Sequence, residues 1–130
     1  MIVVDASAIL ELLLNTRAAV RVGERLFMAG ETLHSPHLLD LEVVQVLRRY
    51  ARSGELDPDR GLQALEDLSD FPLRRYPHDL FLPRIWELRN NVTAYDAVYL
   101  ALAEVLDAPL VTRDTALASA RGHGARIEVV

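Results

Sequence analysis

The sequence predicts an α/β domain built around a mostly parallel sheet. Short runs of branched apolar residues alternate with helical stretches along the whole chain, and two helix starts are marked by a capping residue followed by proline. The chain has 130 residues, 51% of them hydrophobic, which is enough apolar material for a single core. We therefore expect one domain over residues 1–130.

The first third of the chain begins with a short apolar strand, Ile2–Val4. Two helical patterns follow at Ser7–Leu14 and Arg17–Ala29, the second with Thr16 as its predicted N-cap. A weak strand is predicted at Thr32–His34. This strand–helix–strand order is typical of a parallel sheet, because a crossover helix must bring the chain back to its starting edge.

Proline and glycine mark the boundaries of the middle helices. Ser35-Pro36 predicts an N-cap with proline at the first helical position, opening a helix that runs to about Arg52 and ends at Gly54. Asp57-Pro58 repeats the start signal for a helix that runs to about Asp70. The two signals predict consecutive long helices.

The last third is predicted to add three strands. Leu73–Tyr76 lies between two prolines, so it is expected at the edge of the sheet if it forms a strand at all. The remaining predicted elements are a helix near Asp79–Arg89, a helix from Thr93 to about Leu106, the strand Leu110–Thr112, a short helix Asp114–Arg121 ended by Gly122, and the strand Ile127–Val130.

Composition excludes several kinds of chemistry. The sequence has no cysteine, which rules out disulfides and thiolate sites, and all 14 basic residues are arginine, which rules out a lysine base. The net charge of −5 gives no general attraction for nucleic acid, so local arginines or bound cations would have to attract a polyanion. An early aspartate and the lack of a long apolar run favour a cytoplasmic protein.

Acidic residues stand at the borders of apolar segments. Asp5 and Asp114 follow two different predicted strands, where ligands bind in open α/β sheets, although each could simply cap the next helix. Asp96 lies three residues after Thr93, which also fits a capping box. Carboxylates near apolar borders are uncommon unless they are paired or bound to a metal, and a hard divalent cation would explain them.

The long middle helix offers two further acids. Its core face is predicted to centre on Leu39, Val43, Val46 and Tyr50. Glu42 lies on one side of that face and Asp40 on the other, so periodicity does not choose between them. An exposed Glu42 paired with Arg49 is the simple structural alternative. Ser7 and Thr112 flank the same predicted site, where Ser7 could bond Asp5 or a metal-bound water.

Four segments together resemble the PIN domain family, and within it the VapC toxins of type II toxin–antitoxin systems. They are Ile-Val-Val-Asp-Ala-Ser-Ala at the start, Leu-Leu-Asp-Leu-Glu-Val-Val-Gln-Val-Leu-Arg-Arg in the middle, and then Thr-Ala-Tyr-Asp-Ala-Val-Tyr-Leu-Ala-Leu-Ala and Leu-Val-Thr-Arg-Asp-Thr-Ala-Leu. The resemblance spans the whole chain. It implies that Asp5, Glu42, Asp96 and Asp114 form the family's acidic quartet, which favours Glu42 over Asp40.

The resemblance also implies a PIN-like fold with about five parallel strands and a Mg²⁺- or Mn²⁺-dependent endoribonuclease. It implies homodimerisation and inhibition by a VapB-like antitoxin. Water-dependent RNA cleavage fits the residues, since Mg²⁺ binds through few carboxylates and activates water. The alternative is a non-catalytic partner-binding module that keeps the acidic pocket.

Candidate RNA contacts are arginines and tyrosines. Arg48, Arg49 and Arg52 share the polar side of the long helix, where a solvated helical face is the structural alternative, and Arg113 adjoins the site. A second stripe, Arg17, Arg21 and Arg25, fits a solvated helical face better than an RNA contact. Tyr95 and Tyr99 could stack on bases, although core or interface packing explains them better. The four histidines lack metal-ligand spacing.

Overall fold

Five parallel strands form the central sheet, in the order β3-β2-β1-β4-β5. The computed structural model describes all of residues 1–130. The strands are β1 (Ile2–Val4), β2 (Leu33–Pro36), β3 (Leu73–Tyr76), β4 (Leu110–Thr112) and β5 (Ile127–Val129). The central strand β1 is fully buried, which explains its continuous apolar sequence. The predicted α/β class and parallel sheet are confirmed, and β3 lies at the edge as expected.

Helices flank the sheet and supply its crossovers. They are α1 (Ala6–Leu13), α2 (Ala19–Leu26), α3 (Leu38–Ser53), α4 (Pro58–Asp70), α5 (Leu82–Glu87), α6 (Ala94–Leu106) and α7 (Thr115–Ala118). Gly54 ends α3 in the left-handed conformation (φ +80°), and Asp57 caps α4 with Pro58 in its first turn, as the sequence predicts. None of these helices has both the length and the apolar character needed to cross a membrane.

The predicted start of α3 is wrong. Ser35 and Pro36 are buried at the end of β2, where Pro36 pairs with Tyr76, and α3 begins only at Leu38. His37 precedes the helix in a helical conformation with no side-chain cap, and its N–H donates to the Tyr76 carbonyl at 2.9 Å. Pairing with the edge strand therefore overrides a helix signal that is local to the sequence.

Two other predicted helices are shorter or broken. Thr16 does not cap α2; it makes a turn in which its carbonyl accepts from the N–H of Ala19, the residue that begins α2. The predicted helix Asp79–Arg89 splits into a 3₁₀ turn, Asp79–Phe81, followed by α5. Pro83 has no N–H to donate to the fourth residue before it, so a single α-helix cannot run through this segment. The last short helix is similarly confined to Thr115–Ala118.

Helix α6 lies at the centre of the core. Its seven successive residues Ala97–Ala103 are all buried, and the helix packs against β1, β2 and β4. A helix that is buried on every side must be apolar all round, which is the pattern the sequence shows. Its first turn emerges at the rim where the parallel strands end. The core thus fixes the position of Asp96 and of the residues that follow it.

Candidate active site

All four predicted acids line one cavity of about 430 Å³ at the carboxyl ends of the strands. Asp5 follows β1, Asp114 follows β4 by two residues, Asp96 lies in the first turn of α6, and Glu42 lies in the second turn of α3. Parallel strands bring Asp5 and Asp114 to the same rim, and the N-terminal halves of α3 and α6 supply Glu42 and Asp96 there. Asp40 does not line the cavity.

Asp5 is the buried member, with only 8% of its surface exposed. One carboxylate oxygen, Oδ1, accepts hydrogen bonds from the Ser7 hydroxyl at 2.6 Å and from the Ala8 N–H at 3.2 Å. The other, Oδ2, accepts from the Thr112 hydroxyl. The Asp5 side chain therefore both caps α1 and lines the acidic cavity. Ser7 and Thr112, which the sequence placed beside the site, both orient Asp5.

Glu42 and Asp40 have different partners. Glu42 Oε1 accepts a hydrogen bond from the Tyr99 hydroxyl at 2.5 Å, which holds the carboxylate at the cavity wall. Asp40 instead pairs with Arg75 on β3 at 2.8 Å. The simple alternative of an exposed Glu42 paired with Arg49 is not what the structure shows, because Arg49 lies over the Tyr50 ring.

Asp96 and Asp114 stand at helix starts. The Thr93 hydroxyl accepts the Asp96 N–H at 3.2 Å, so Thr93 caps α6 as predicted. Asp114 caps α7 through Oδ1, which accepts the Ala116 N–H at 2.9 Å, and its own N–H donates to the Thr112 hydroxyl. The Thr112 hydroxyl thus contacts both the Asp5 carboxylate and the backbone N–H of Asp114.

Burial and mutual repulsion disturb the protonation of this cluster. Burial raises the pKa of Asp5, against hydrogen bonds from Ser7, Thr112 and Ala8, and the nearby charge of Asp114 adds to the rise. Burial also raises the pKa of Glu42, with contributions from Asp5 and Asp96. Asp96 likewise has a raised pKa because of burial and the charges of Asp114 and Asp5. Burial and neighbouring negative charge therefore raise the pKa values of Asp5, Glu42 and Asp96 in the same direction.

The donor set fits a hard divalent cation. The acidic cavity is lined by carboxylate and hydroxyl oxygens, with no histidine among its residues. No group of three acidic or histidine side chains is already spaced to grip one ion. Mg²⁺ does not need such a group, because it keeps several waters and is bound through one or two carboxylates. Repelling carboxylates that a cation would neutralise are consistent with this mode of binding.

Tyr99 is the residue whose role the sequence did not reveal. It is 2% exposed and packs in the core, as the sequence favours, yet its hydroxyl reaches Glu42. Burial and the nearby Glu42 carboxylate raise the pKa of Tyr99 far above its ordinary value, so it remains a hydrogen-bond donor. Its spacing of three residues after Asp96 was the available signal, since both then face one side of α6.

The predicted arginine contacts divide into two groups. Arg49 and Arg113 line the acidic cavity, whereas Arg48 and Arg52 do not. Arg25, from the second stripe, is held by Glu128 and Glu31 in ion pairs, which supports the structural interpretation of that residue. Tyr95 is 63% exposed and lies outside the acidic cavity. The positive charge at the site therefore comes from Arg49 on α3 and Arg113 in the loop after β4.

Solved structures share this fold. PAE2754 from Pyrobaculum aerophilum superposes with a TM-score of 0.67 at 29% identity, covering 98% of this chain and 82% of that one. The DNA-bound VapBC from Salmonella typhimurium superposes with a TM-score of 0.72 over 99% of this chain and 98% of that one. Its identity is 18%, so this second likeness concerns the fold alone.

Sequence relatives cover nearly the whole chain. Ribonuclease VapC12 of Mycobacterium tuberculosis is 42% identical over 130 residues, which are 100% of this chain and 99% of the relative. Ribonuclease VapC9 of the same organism is 47% identical over 117 residues, which are 90% and 88% of the two chains. The PIN domain family matches residues 2–122. This chain therefore belongs to the PIN domain family and, within it, to the VapC group.

Proposed function

We propose that this protein is a metal-dependent endoribonuclease and the toxin of a VapBC-type toxin–antitoxin pair. The single observation that carries the proposal is the cavity in which Asp5, Glu42, Asp96 and Asp114 converge at the rim of the sheet. The ribonuclease names of the relatives support RNA as the substrate. The oxygen-only donor set supports Mg²⁺ or Mn²⁺ as the cofactor.

The protein's own residues would bind the cation and orient the substrate. The acidic quartet would hold the cation, which when bound supplies an activated water and positive charge for the phosphate. Ser7 and Thr112 keep the Asp5 carboxylate in one orientation, and Tyr99 does the same for Glu42. Arg49 and Arg113 add positive charge at the cavity wall, where an RNA phosphate would approach.

We also propose a VapB-like antitoxin as the partner. The acidic cavity would accept an arginine of that protein, since a guanidinium fork matches clustered carboxylates. Leu10, Leu14 and Val46 line the same cavity and give the partner an apolar contact. The homodimer implied by the sequence resemblance stays a prediction. The competing function is a partner-binding module without catalysis, which would bind the antitoxin but leave RNA intact.

Neutralising any member of the quartet is expected to stop RNA cleavage. Asp5→Asn, Glu42→Gln, Asp96→Asn and Asp114→Asn should each lower the rate by on the order of 100-fold, as loss of a charge-stabilising group does elsewhere. Asp40→Asn is the matched control, because Asp40 pairs with Arg75 outside the cavity, and it should cleave normally. Cleavage of a labelled RNA pool in Mg²⁺ measures this. Full activity in excess EDTA would contradict the metal mechanism.

Tyr99→Phe is expected to weaken metal binding. The change removes the only hydroxyl bonded to Glu42 Oε1 and keeps the ring that fills the core. Losing such an orienting group lowers metal affinity by roughly 10- to 100-fold in other proteins. Calorimetric titration with Mn²⁺, without RNA, measures the Kd directly. Tyr95→Phe, on an exposed residue of the same helix, is the control, and an unchanged Mn²⁺ Kd for Tyr99→Phe would make Tyr99 purely structural.

Asp96→Asn is expected to stabilise the metal-free protein. An acid whose pKa is raised by folding binds its proton more tightly when folded, so stability falls as pH rises from the ordinary carboxyl range through the raised pKa. The asparagine side chain has no carboxyl group to ionise, so the variant does not lose stability in this way. Its free energy of unfolding should be higher than that of wild type by about 1 kcal/mol or less at neutral pH. Thermal melting of the two proteins, with and without Mg²⁺, checks it. Mg²⁺ should stabilise wild type more than the variant, and a lower-melting variant would assign Asp96 to helix capping.

Neutralising the acidic cavity is expected to weaken antitoxin binding as well. Asp114→Asn and Leu10→Ala should each raise the Kd for the cognate antitoxin by about tenfold or more, because one removes charge and the other apolar contact. Surface plasmon resonance in EDTA measures the Kd without cleavage. Asp40→Asn serves again as the control. Equal affinity in all four proteins would place the antitoxin on another surface.

A further inference from the structure

A second cleft, of about 650 Å³, adjoins the acidic cavity and shares Asp96 and Asp114 with it. One wall is the connection between α5 and α6, residues 89–93, and the other is α7 with the residues that follow it. Its size lies in the range, roughly 300–1,000 Å³, that is typical of sites for small organic groups. A ligand in this cleft would lie directly beside the carboxylates.

Arg89 is the only positively charged residue that lines this cleft. Its guanidinium carbon lies 4.6 Å from the centre of the Trp86 ring, and Nη1 donates to the Trp86 carbonyl at 2.9 Å. These two contacts hold the guanidinium in one direction, while most of its five donors stay available. Trp86 itself is 67% exposed, so the pair is not explained by core packing.

The other residues that line the cleft are chemically suited to a nucleotide. Asn90 and Asn91 are exposed and offer amide donors and acceptors, which suit the edges of bases. Val92, Leu117 and Ala120 supply apolar surface. Asp96 and Asp114 would repel a ligand that is negatively charged throughout, so the negative group that Arg89 attracts fits best on an otherwise uncharged ligand. A nucleotide within an RNA strand fits this description.

We propose that this cleft binds a nucleotide next to the cleaved bond, with Arg89 on its phosphate and Asn90 on the edge of its base. This inference rests on the proposed ribonuclease function and adds to it a subsite for a neighbouring nucleotide. Arg89 then contributes affinity for any sequence, because phosphates are the same along the strand, whereas Asn90 contributes base preference. Trp86 is a positioning residue that acts through Arg89.

The first test compares Arg89→Ala with Arg126→Ala. Both remove one arginine, but Arg126 pairs with Asp107 and does not line the cleft. With a labelled single-stranded RNA pool and Mg²⁺, Arg89→Ala should raise KM about tenfold and leave kcat within about threefold. Arg126→Ala should behave as wild type. An Arg89→Ala enzyme with an unchanged KM would overturn the proposal.

The second test concerns base preference. Sequencing the cleaved ends of a randomised RNA pool should show that Asn90→Ala changes the base distribution at one position beside the cut. Arg89→Ala should leave that distribution unchanged and only slow cleavage at low RNA concentration. Identical distributions for wild type and Asn90→Ala would overturn the assignment of Asn90.

A binding measurement separates this inference from the proposed function. Trp86 is the only tryptophan, so its fluorescence reports on the rim of the cleft. The measurement uses the Asp5→Asn variant, which should leave the RNA uncut and whose changed residue lies outside the cleft. Adding the RNA pool should change the Trp86 fluorescence saturably, and adding Arg89→Ala to this variant should raise the Kd for RNA about tenfold. If the binding depends on Arg89 but the wild-type protein does not cleave the same RNA pool in Mg²⁺, the ribonuclease proposal is rejected and the nucleotide site is kept. Cleavage with no dependence on Arg89 would do the reverse.

Discussion

The site depends on one buried carboxylate and the bonds that fix it. Asp5 ends the central strand, caps α1 through the Ala8 N–H, and is bonded by hydroxyls from Ser7 and Thr112. A buried carboxylate is costly unless it is hydrogen-bonded, so these contacts make its position possible. Because Thr112 belongs to the neighbouring strand, the same contacts tie the carboxyl ends of β1 and β4 together. The rim of the sheet and the acidic cavity are therefore one structural unit.

The core helix α6 sets the far side of that unit. Its buried residues lock the helix against three strands, so the positions of Asp96 and Tyr99 follow from core packing and not from a flexible loop. The Tyr99 hydroxyl then restrains the position of Glu42, on another helix, through a single hydrogen bond. Groups held by a packed scaffold keep their geometry without further ordering, which is what a metal or phosphate site requires.

Repulsion among these carboxylates opposes the stability of the fold. Burial and neighbouring negative charges raise the pKa values of Asp5, Glu42 and Asp96 together, so ionising all of them at neutral pH costs free energy. Core packing and helix caps stabilise the fold enough to offset this cost, but they do not reduce the repulsion itself. A bound cation would reduce the repulsion directly. The same charges reject anions, which is why arginines at the borders of the cavities matter for a polyanionic substrate.

The sequence alone determined the α/β class, the capped starts of α4 and α6, and the placement of Asp5 and Asp114 at strand ends, because these follow from local periodicity and capping. Tertiary structure decided the rest. Pairing with β3 turned Ser35 and Pro36 into strand, since ladder hydrogen bonds to a distant segment outweigh a local cap. Periodicity left Glu42 and Asp40 equivalent on one helix. The family resemblance favoured Glu42, and the long-range partners supply the physical reason: Tyr99 holds Glu42 at the cavity, and Asp40 pairs with Arg75 outside it.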